Sequence, residues 1–240
     1  MDRYTRHQLK HDEFQDTVET VQIYVSEHLR QIIVVAAAVI IVVGGALWLK
    51  SYSAQQEAAA NNQLQIAVGT FDAGVGTPDP NNPAQAGPMF PTSKAKYEMA
   101  LQQFGQIAKL YPRTKAAAYA EVHMGICQAR LGNDAVAIKT LREASQKSGK
   151  EVAALAQFAL AGELLKTGKL DDATKIYQSL ANHPTLTVPR ATALLAMADA
   201  YRATQPNRAR DIYIQIQKEF GSDEVIAEVL KQQIASLPAK

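Results

Sequence analysis

The longest apolar stretch of the chain, Ile32 to Leu49, limits its fold more than any other feature. It holds eighteen residues without a charge, and nine of them are isoleucine or valine. As a helix it would be about 27 Å long, close to the thickness of the hydrocarbon core of a bilayer. We therefore expect a transmembrane helix at 32–49 that tethers the rest of the chain to a membrane.

The segment before this run differs from the leader of a cleaved signal peptide. Such a leader is short and basic, and its apolar run spans about 7–15 residues. Residues 1–31 instead contain six acidic and four basic side chains. We predict a permanent anchor. Small residues spaced two apart, at Ser51 and Ser53 and at Ala58 and Ala60, leave cleavage as the alternative.

The distribution of lysine and arginine predicts the orientation of the anchor. Four basic residues lie in the leader, whereas none occurs between Lys50 and Lys94. Because basic residues near a span favour the cytoplasmic side, we expect a cytoplasmic N-terminus and an external C-terminal domain.

The leader itself has the pattern of an amphipathic helix. Its apolar residues recur at spacings of four, three, four and four, which places them on one helix face. They are Phe14, Val18, Val21, Val25 and Leu29. This face could bury itself in the inner leaflet, against a partner's helix or against a second copy of the chain, and the pattern does not choose among the three.

Two segments of different composition follow the apolar run. Residues 50–71 are rich in alanine and glutamine and contain no proline, which favours a helical extension of the anchor. Residues 72–92 contain five prolines and three glycines. This composition predicts a long connecting loop, without a strand or a helix.

From Lys94 to Lys240 the pattern is helical, and it repeats. A shift of thirty-six residues aligns Gly132 with Gly168 and Ala137 with Ala173. A large-small pair also recurs in the preceding helices, as Met124-Gly125, Leu160-Ala161 and Met197-Ala198. Small residues at such positions allow two helices to approach closely, and Leu141, Tyr177 and Tyr213 would fill the space to the next pair.

These residues resemble the tetratricopeptide repeat, in which a large-small pair in the first helix is followed by a small residue and an aromatic in the second. Gln128 and Leu164 replace the aromatic of the first helix, and the repeat's tryptophan is absent. The resemblance implies an all-α fold: one transmembrane helix followed by an α-solenoid of about 3–4 helix pairs at 94–240. Ser222 to Leu237 would be its capping helix.

The order of leader, span and external repeat domain is similar to that of the bacterial membrane-anchored repeat proteins grouped as ancillary subunits of the Sec translocon. The resemblance implies a bacterial inner membrane, a periplasmic repeat domain, and partners among the translocon, its clients and envelope proteins. The acidic leader argues against a mitochondrial transit peptide.

Chemistry-bearing residues are scattered, so we expect no enzyme, no cofactor and no metal. Only His7 and His11 have a metal-like spacing, and no third ligand is evident. The single cysteine, Cys127, lies in an apolar helical context and reads as a buried hydrophobe. The net charge of +6 from Lys94 onward is too small to indicate nucleic-acid binding.

The remaining functional candidate is a groove lined by the first helix of each pair. We predict an apolar floor with a basic row at one rim, which suits an extended or helical peptide. The predicted residues are Tyr119, Val122, His123, Ile126, Arg130, Leu155, Phe158, Lys166, Leu195 and Arg202. The chain would then mediate protein–protein interactions, assisting translocated or envelope proteins. The alternative is a structural scaffold that self-associates through its leader and span and holds a membrane complex together.

Overall fold

A computed structural model describes residues 3–76, 89–222 and 224–237, and their regular structure is almost entirely helical. The chain divides into two compact units, 1–55 and 56–240. The first helix, α1, spans Arg3–Asp72, so its residues up to 55 form the described part of the first unit. The predicted stripe from Phe14 to Val25, together with His7 and His11, concerns side chains outside the described set.

In the first unit the apolar run is exposed along its whole described length. Ile40, Ile41 and Val42 each leave about 70% of their side-chain surface open. Exposure of such a continuous apolar surface to water is unfavourable, because burial of each methylene group stabilises a protein by about 0.8 kcal/mol. Among the described residues, α1 is the one helix whose length and composition suit a membrane span or a signal sequence.

The second unit is an array of antiparallel helices joined by short turns. It contains the end of α1, then α2 (Ser93–Leu110), α3 (Lys115–Arg130), α4 (Asp134–Lys147), α5 (Lys150–Lys166), α6 (Leu170–Asn182), α7 (Arg190–Tyr201), α8 (Pro206–Phe220) and α9 (Glu224–Ala235). Each helix from α2 to α9 packs against the next along the chain, as helix pairs in a solenoid do. The predicted all-α solenoid is confirmed.

The helix pairs meet where the sequence repeat predicted. Gly125, Ala161 and Ala198 are buried, as are Leu141 and Tyr213. At Gly125 the approach leaves no room for a side chain: a Cβ there would lie 2.6 Å from Cγ of Leu141. The side chain of Leu141 therefore packs directly on the backbone of α3 at Gly125, and this contact fixes how α3 packs on α4.

Two glycines in the turns adopt the left-handed conformation that only glycine tolerates readily. Gly132 ends α3 with φ of 81°, and Gly168 ends α5 with φ of 80°. Their equivalence under the thirty-six-residue shift extends to the hydrogen bonds. After Gly132, the amide of Asn133 donates to the carbonyl of Gln128. After Gly168, the amide of Lys169 donates in the same way to the carbonyl of Leu164.

The segment predicted as a strandless loop contains two short strands, so that part of the prediction is wrong. Strands β1 (Gly74–Val75) and β2 (Met89–Phe90) pair in parallel, with Gly74 opposite Met89. Lys96 donates from Nζ to the carbonyl of Ala73 at 3.0 Å, and so holds the first strand near α2. Residues 77–88, the centre of the predicted loop, lie outside the described residues.

The end of α1 packs against α2 and α3 and completes the first helix pair. Ala67 is fully buried with Phe104, Ala117 and Ala120, and Phe71 lies against the same cluster. A long-range polar contact accompanies this packing. The carboxylate of Glu57 accepts hydrogen bonds from the backbone amides of Lys115 at 2.9 Å and Ala116 at 3.2 Å.

We expect replacement of Glu57 by alanine to destabilise the repeat domain by about 1–2 kcal/mol. The change removes the carboxylate from two backbone donors at the start of α3, where negative charge also interacts favourably with the helix dipole. Urea unfolding of the full chain in detergent, followed by far-ultraviolet circular dichroism, measures the loss. Asn62→Ala alters an exposed residue of the same helix and should leave the midpoint within experimental error, whereas equal effects of the two changes would contradict the capping role.

Candidate functional site

Five of the ten predicted groove residues pack on one continuous core. They are half-buried side chains on the first helix of successive pairs: Tyr119, Ile126, Leu155, Phe158 and Leu195. Phe158 meets the ring of Tyr177 edge-on, with 5.4 Å between ring centroids. Each of the five therefore contributes to stability with one part of its surface and leaves another part accessible to a partner.

Val122 does not belong to such a surface. It is completely buried in the core together with Leu141 and Ala144. The prediction placed it on the accessible side of α3, but the helix is turned so that this position faces α4 and α5. A partner could reach Val122 only if these helices separated, so we exclude it.

His123 belongs to a different cluster, at the junction of α1, α2 and α3. Its ring stacks on Phe104 with 4.9 Å between centroids and meets Phe71 edge-on at 5.3 Å. Burial lowers the pKa of His123, and the nearby carboxylate of Asp72 opposes that shift. The ring is thus held neutral among aromatic side chains, and its role in the structure is packing.

The predicted basic row is only partly available to a partner. Lys166 donates to the carboxylates of Asp134 and Glu163 and to the carbonyl of Ala129. These hydrogen bonds raise the pKa of Lys166, and burial raises that of Glu163. Lys166 therefore links α3, α4 and α5 as a structural cation.

The other two cations of the row differ in their surroundings. Arg202 lies 3.7 Å from the carboxylate of Asp199 and donates to the hydroxyl of Ser236 at 3.0 Å, which joins α7 to the segment after α9. Arg130 is exposed at the end of α3. Of the three, Arg130 is the one most open to an acidic partner.

Histidine, cysteine, aspartate and glutamate are the side chains that could form a metal site or supply a reactive nucleophile. In the part of the chain that the structure describes, no group of three such side chains is arranged to hold a metal. Cys127 is fully buried, and burial raises the pKa of its thiol to about 12. Only the thiolate is reactive, and a thiol with this pKa stays protonated at neutral pH. Cys127 therefore packs as a small apolar residue.

A cleft of about 610 Å³ at the edge of the array was not predicted from the sequence. It lies between the α2–α3 turn and the α4–α5 turn, and its lining includes four basic residues, Arg113, Lys115, Lys147 and Lys150. Tyr119 is the one predicted groove residue that reaches it. The signal was present in the sequence: Pro112 and Gly149, residues that favour helix ends, mark the two turns, and basic residues flank each of them.

Comparison with known proteins identifies one part of the array. Residues 192–222 match the model of the tetratricopeptide repeat, and this range covers most of α7 and all of α8. No curated protein and no solved structure matches the chain. The match supports a tetratricopeptide-repeat protein, a class whose helix pairs generally mediate protein–protein interaction and generally catalyse no reaction.

Proposed function

We propose that this chain is a membrane-tethered adaptor that binds segments of other polypeptides with its helical array. The observation that carries the proposal is the row of half-buried apolar side chains on α3, α5 and α7, the last of which lies in the matched repeat. Partly exposed apolar and aromatic side chains on a rigid scaffold are the usual anchors of a peptide-binding surface.

The membrane tether and its orientation are part of the same proposal. The apolar run of α1 supports the tether, and the lysine and arginine distribution supports an external array. In a bacterial cell this arrangement would place the array in the periplasm, anchored in the inner membrane. There it would meet newly translocated or envelope proteins, as the resemblance to the ancillary translocon subunits suggests.

Site-specific crosslinking tests the adaptor function. A photoreactive phenylalanine analogue at Phe158 or Leu195 should capture partner polypeptides in intact cells, and at Lys175, an exposed residue of α6, capture should be at least about fivefold lower. Many different partners would indicate handling of clients, and one fixed neighbour would indicate the scaffold alternative. Equal capture at all three positions would contradict a binding surface on α5 and α7.

A further inference from the structure

We propose that the cleft between the α2–α3 and α4–α5 turns binds an extended acidic segment of a partner polypeptide. The inference rests on the proposed function, since both treat the array as a polypeptide-binding module. It assigns a second binding surface to the array, and it specifies that the partner segment is acidic. The cleft lies at the edge of the array and draws on turn residues that the apolar row does not include.

The shape of this region suits an extended chain. A second cavity of about 250 Å³ adjoins the cleft, and Lys150 lines both. The two cavities share Lys150 and follow one another from the α2–α3 turn past the α4–α5 turn to the α6–α7 turn, and we call them together the track. A track that crosses three turns of the array accommodates a strand-like segment better than it does a compact small molecule.

The charge of the cleft selects acidic side chains. Four basic residues and two acidic residues, Glu121 and Glu151, line it. The carboxylate of Glu151 accepts hydrogen bonds from the amide and hydroxyl of Thr187, at 3.1 and 3.3 Å. These neutral donors leave the charge of Glu151 in place, so the four basic and two acidic side chains give the lining a net charge of +2, which favours an acidic partner.

The cations are also placed to act on a partner. Lys147 forms a weak, exposed pair with Glu143 at 3.6 Å, which a competing carboxylate could replace at little cost. The backbone amide of Lys115 donates to the carboxylate of Glu57, and among the residues that the structure describes its ammonium group has no hydrogen-bond or ion-pair partner. Side chains on both walls of the cleft can therefore converge on one acidic segment.

Apolar contacts along the track would add to the electrostatic attraction. Tyr119 and Val152 line the cleft, and the apolar residues Ala153, Ala154 and Leu180 line the second cavity, which has no acidic residue. Next to Thr185, Leu186 leaves 91% of its surface exposed. Hydrogen bonds between the amide of Thr185 and the carbonyl of Val188, and between Thr187 and Glu151, hold this turn in place. A partner with acidic residues followed by an apolar residue matches this order.

The test uses the full chain in nanodiscs of phosphatidylcholine and a fluorescein-labelled peptide of twelve alternating glutamate and alanine residues. Fluorescence anisotropy should show saturable binding that weakens as salt is raised. The double variant Lys115→Glu, Lys150→Glu should bind the peptide at least about tenfold more weakly. The matched control, Lys139→Glu with Lys175→Glu, makes the same change of charge at exposed positions on α4 and α6 and should bind within about twofold of the original chain.

Several results would overturn the inference. These are equal losses in the two double variants, no loss in either, or equal binding of a lysine-alanine peptide. If phosphatidylglycerol in the nanodisc abolishes peptide binding, the cleft prefers anionic headgroups and the inference fails. The neutral double variant Lys115→Gln, Lys150→Gln should bind the peptide more weakly than the original chain, but with a smaller loss of affinity. It controls for misfolding caused by the introduced glutamates. Crosslinking at Leu195 should persist in the cleft variants, so failure of the cleft and failure of the adaptor function are distinguishable.

Discussion

Replacement of Phe104 by alanine is expected to destabilise the repeat domain by about 3–5 kcal/mol. Phe104 is completely buried, and its ring contacts His123 face to face and Phe71 edge-on. Removal of the ring loses its transfer free energy and leaves a cavity between α2, α3 and the end of α1. For a domain of this size, we expect the melting temperature of the full chain in detergent to fall by about 10 °C.

A control on the same helix separates this effect from a loss of helix propensity. Met99→Ala alters a side chain that is 43% exposed and should change the stability by less than about 0.5 kcal/mol. The cavity should also admit water to His123, so its pKa should rise toward the ordinary value of 6.5. A normal melting temperature together with an unchanged histidine titration would show that the aromatic cluster does not hold α1 on the array.

The pKa of His123 also predicts how stability depends on pH. Because burial lowers this pKa in the folded state, the unfolded chain binds the proton more readily. The contribution of the neutral ring is complete above pH 6.5 and is lost as the pH falls below that value. In the Phe104→Ala variant this loss should be smaller.

The second large effect is expected for Gly125→Val, which should destabilise the domain by up to about 3 kcal/mol. A Cβ at this position would lie 2.6 Å from Cγ and 2.7 Å from Cδ2 of Leu141, a side chain that is itself buried. The helices must move apart or Leu141 must leave its rotamer, and both responses are costly in a packed core. Urea unfolding of the full chain measures the change.

A double-mutant cycle identifies the cause of the effect. Leu141→Ala alone removes a buried side chain and should cost about 2–5 kcal/mol, but in the Gly125→Val background it relieves the clash. The double variant should therefore be more stable than the sum of the two single changes implies, by at least about 1 kcal/mol. Gly162→Val, where the nearest atom is the Tyr177 hydroxyl at 3.8 Å, should be tolerated. Additive losses would mean that the close approach of α3 and α4 does not limit this position.

Much of the fold could be predicted from the sequence because two of its signals are strong. An eighteen-residue run without a charge has few structural solutions, and the thirty-six-residue repeat aligns glycines that adopt the same backbone conformation. The repeat also identified Leu141, Tyr177 and Tyr213 as residues between helices, and all three are buried. Local patterns of this kind are reliable because the same contacts recur in each helix pair.

The groove prediction was wrong at two positions of α3, where the rotation of the helix decides whether a side chain is buried. Val122 and His123 were both assigned to the accessible face of α3, yet the first faces the core and the second faces the aromatic cluster with Phe71 and Phe104. Adjacent helical residues point about 100° apart, so a small error in rotation moves a side chain from the surface to the interior. The direction of each helix face depends on its neighbours in the array, which a local pattern does not contain.

Glycines in the turns show the same limit. Of the four glycines at helix ends, Gly132, Gly149, Gly168 and Gly221, the first and third adopt a left-handed backbone and the other two do not. Gly149 instead precedes α5 as its N-cap, with φ of −64°. The strand pair at Gly74–Val75 was missed because a two-residue strand leaves no periodic pattern.

The shape of the basic cleft could not be predicted from the sequence, although its basic residues can be located there. Arg113 and Lys115 are separated from Lys147 and Lys150 by more than thirty positions in the chain. Only the packing of α3 against α4 and α5 brings the two turns to the same edge. A search for basic residues that flank equivalent turns of a repeat would have pointed to it.

In the proposed function, Ile32 to Leu49 remains in the bilayer of the mature protein and so tethers the array. Alkaline carbonate washing of membranes, with detection at both ends of the chain, tests it most directly. We expect the intact polypeptide, with its leader, to stay in the membrane pellet. Release of the full-length chain into the supernatant, or loss of the N-terminal signal from the mature protein, would contradict the tether.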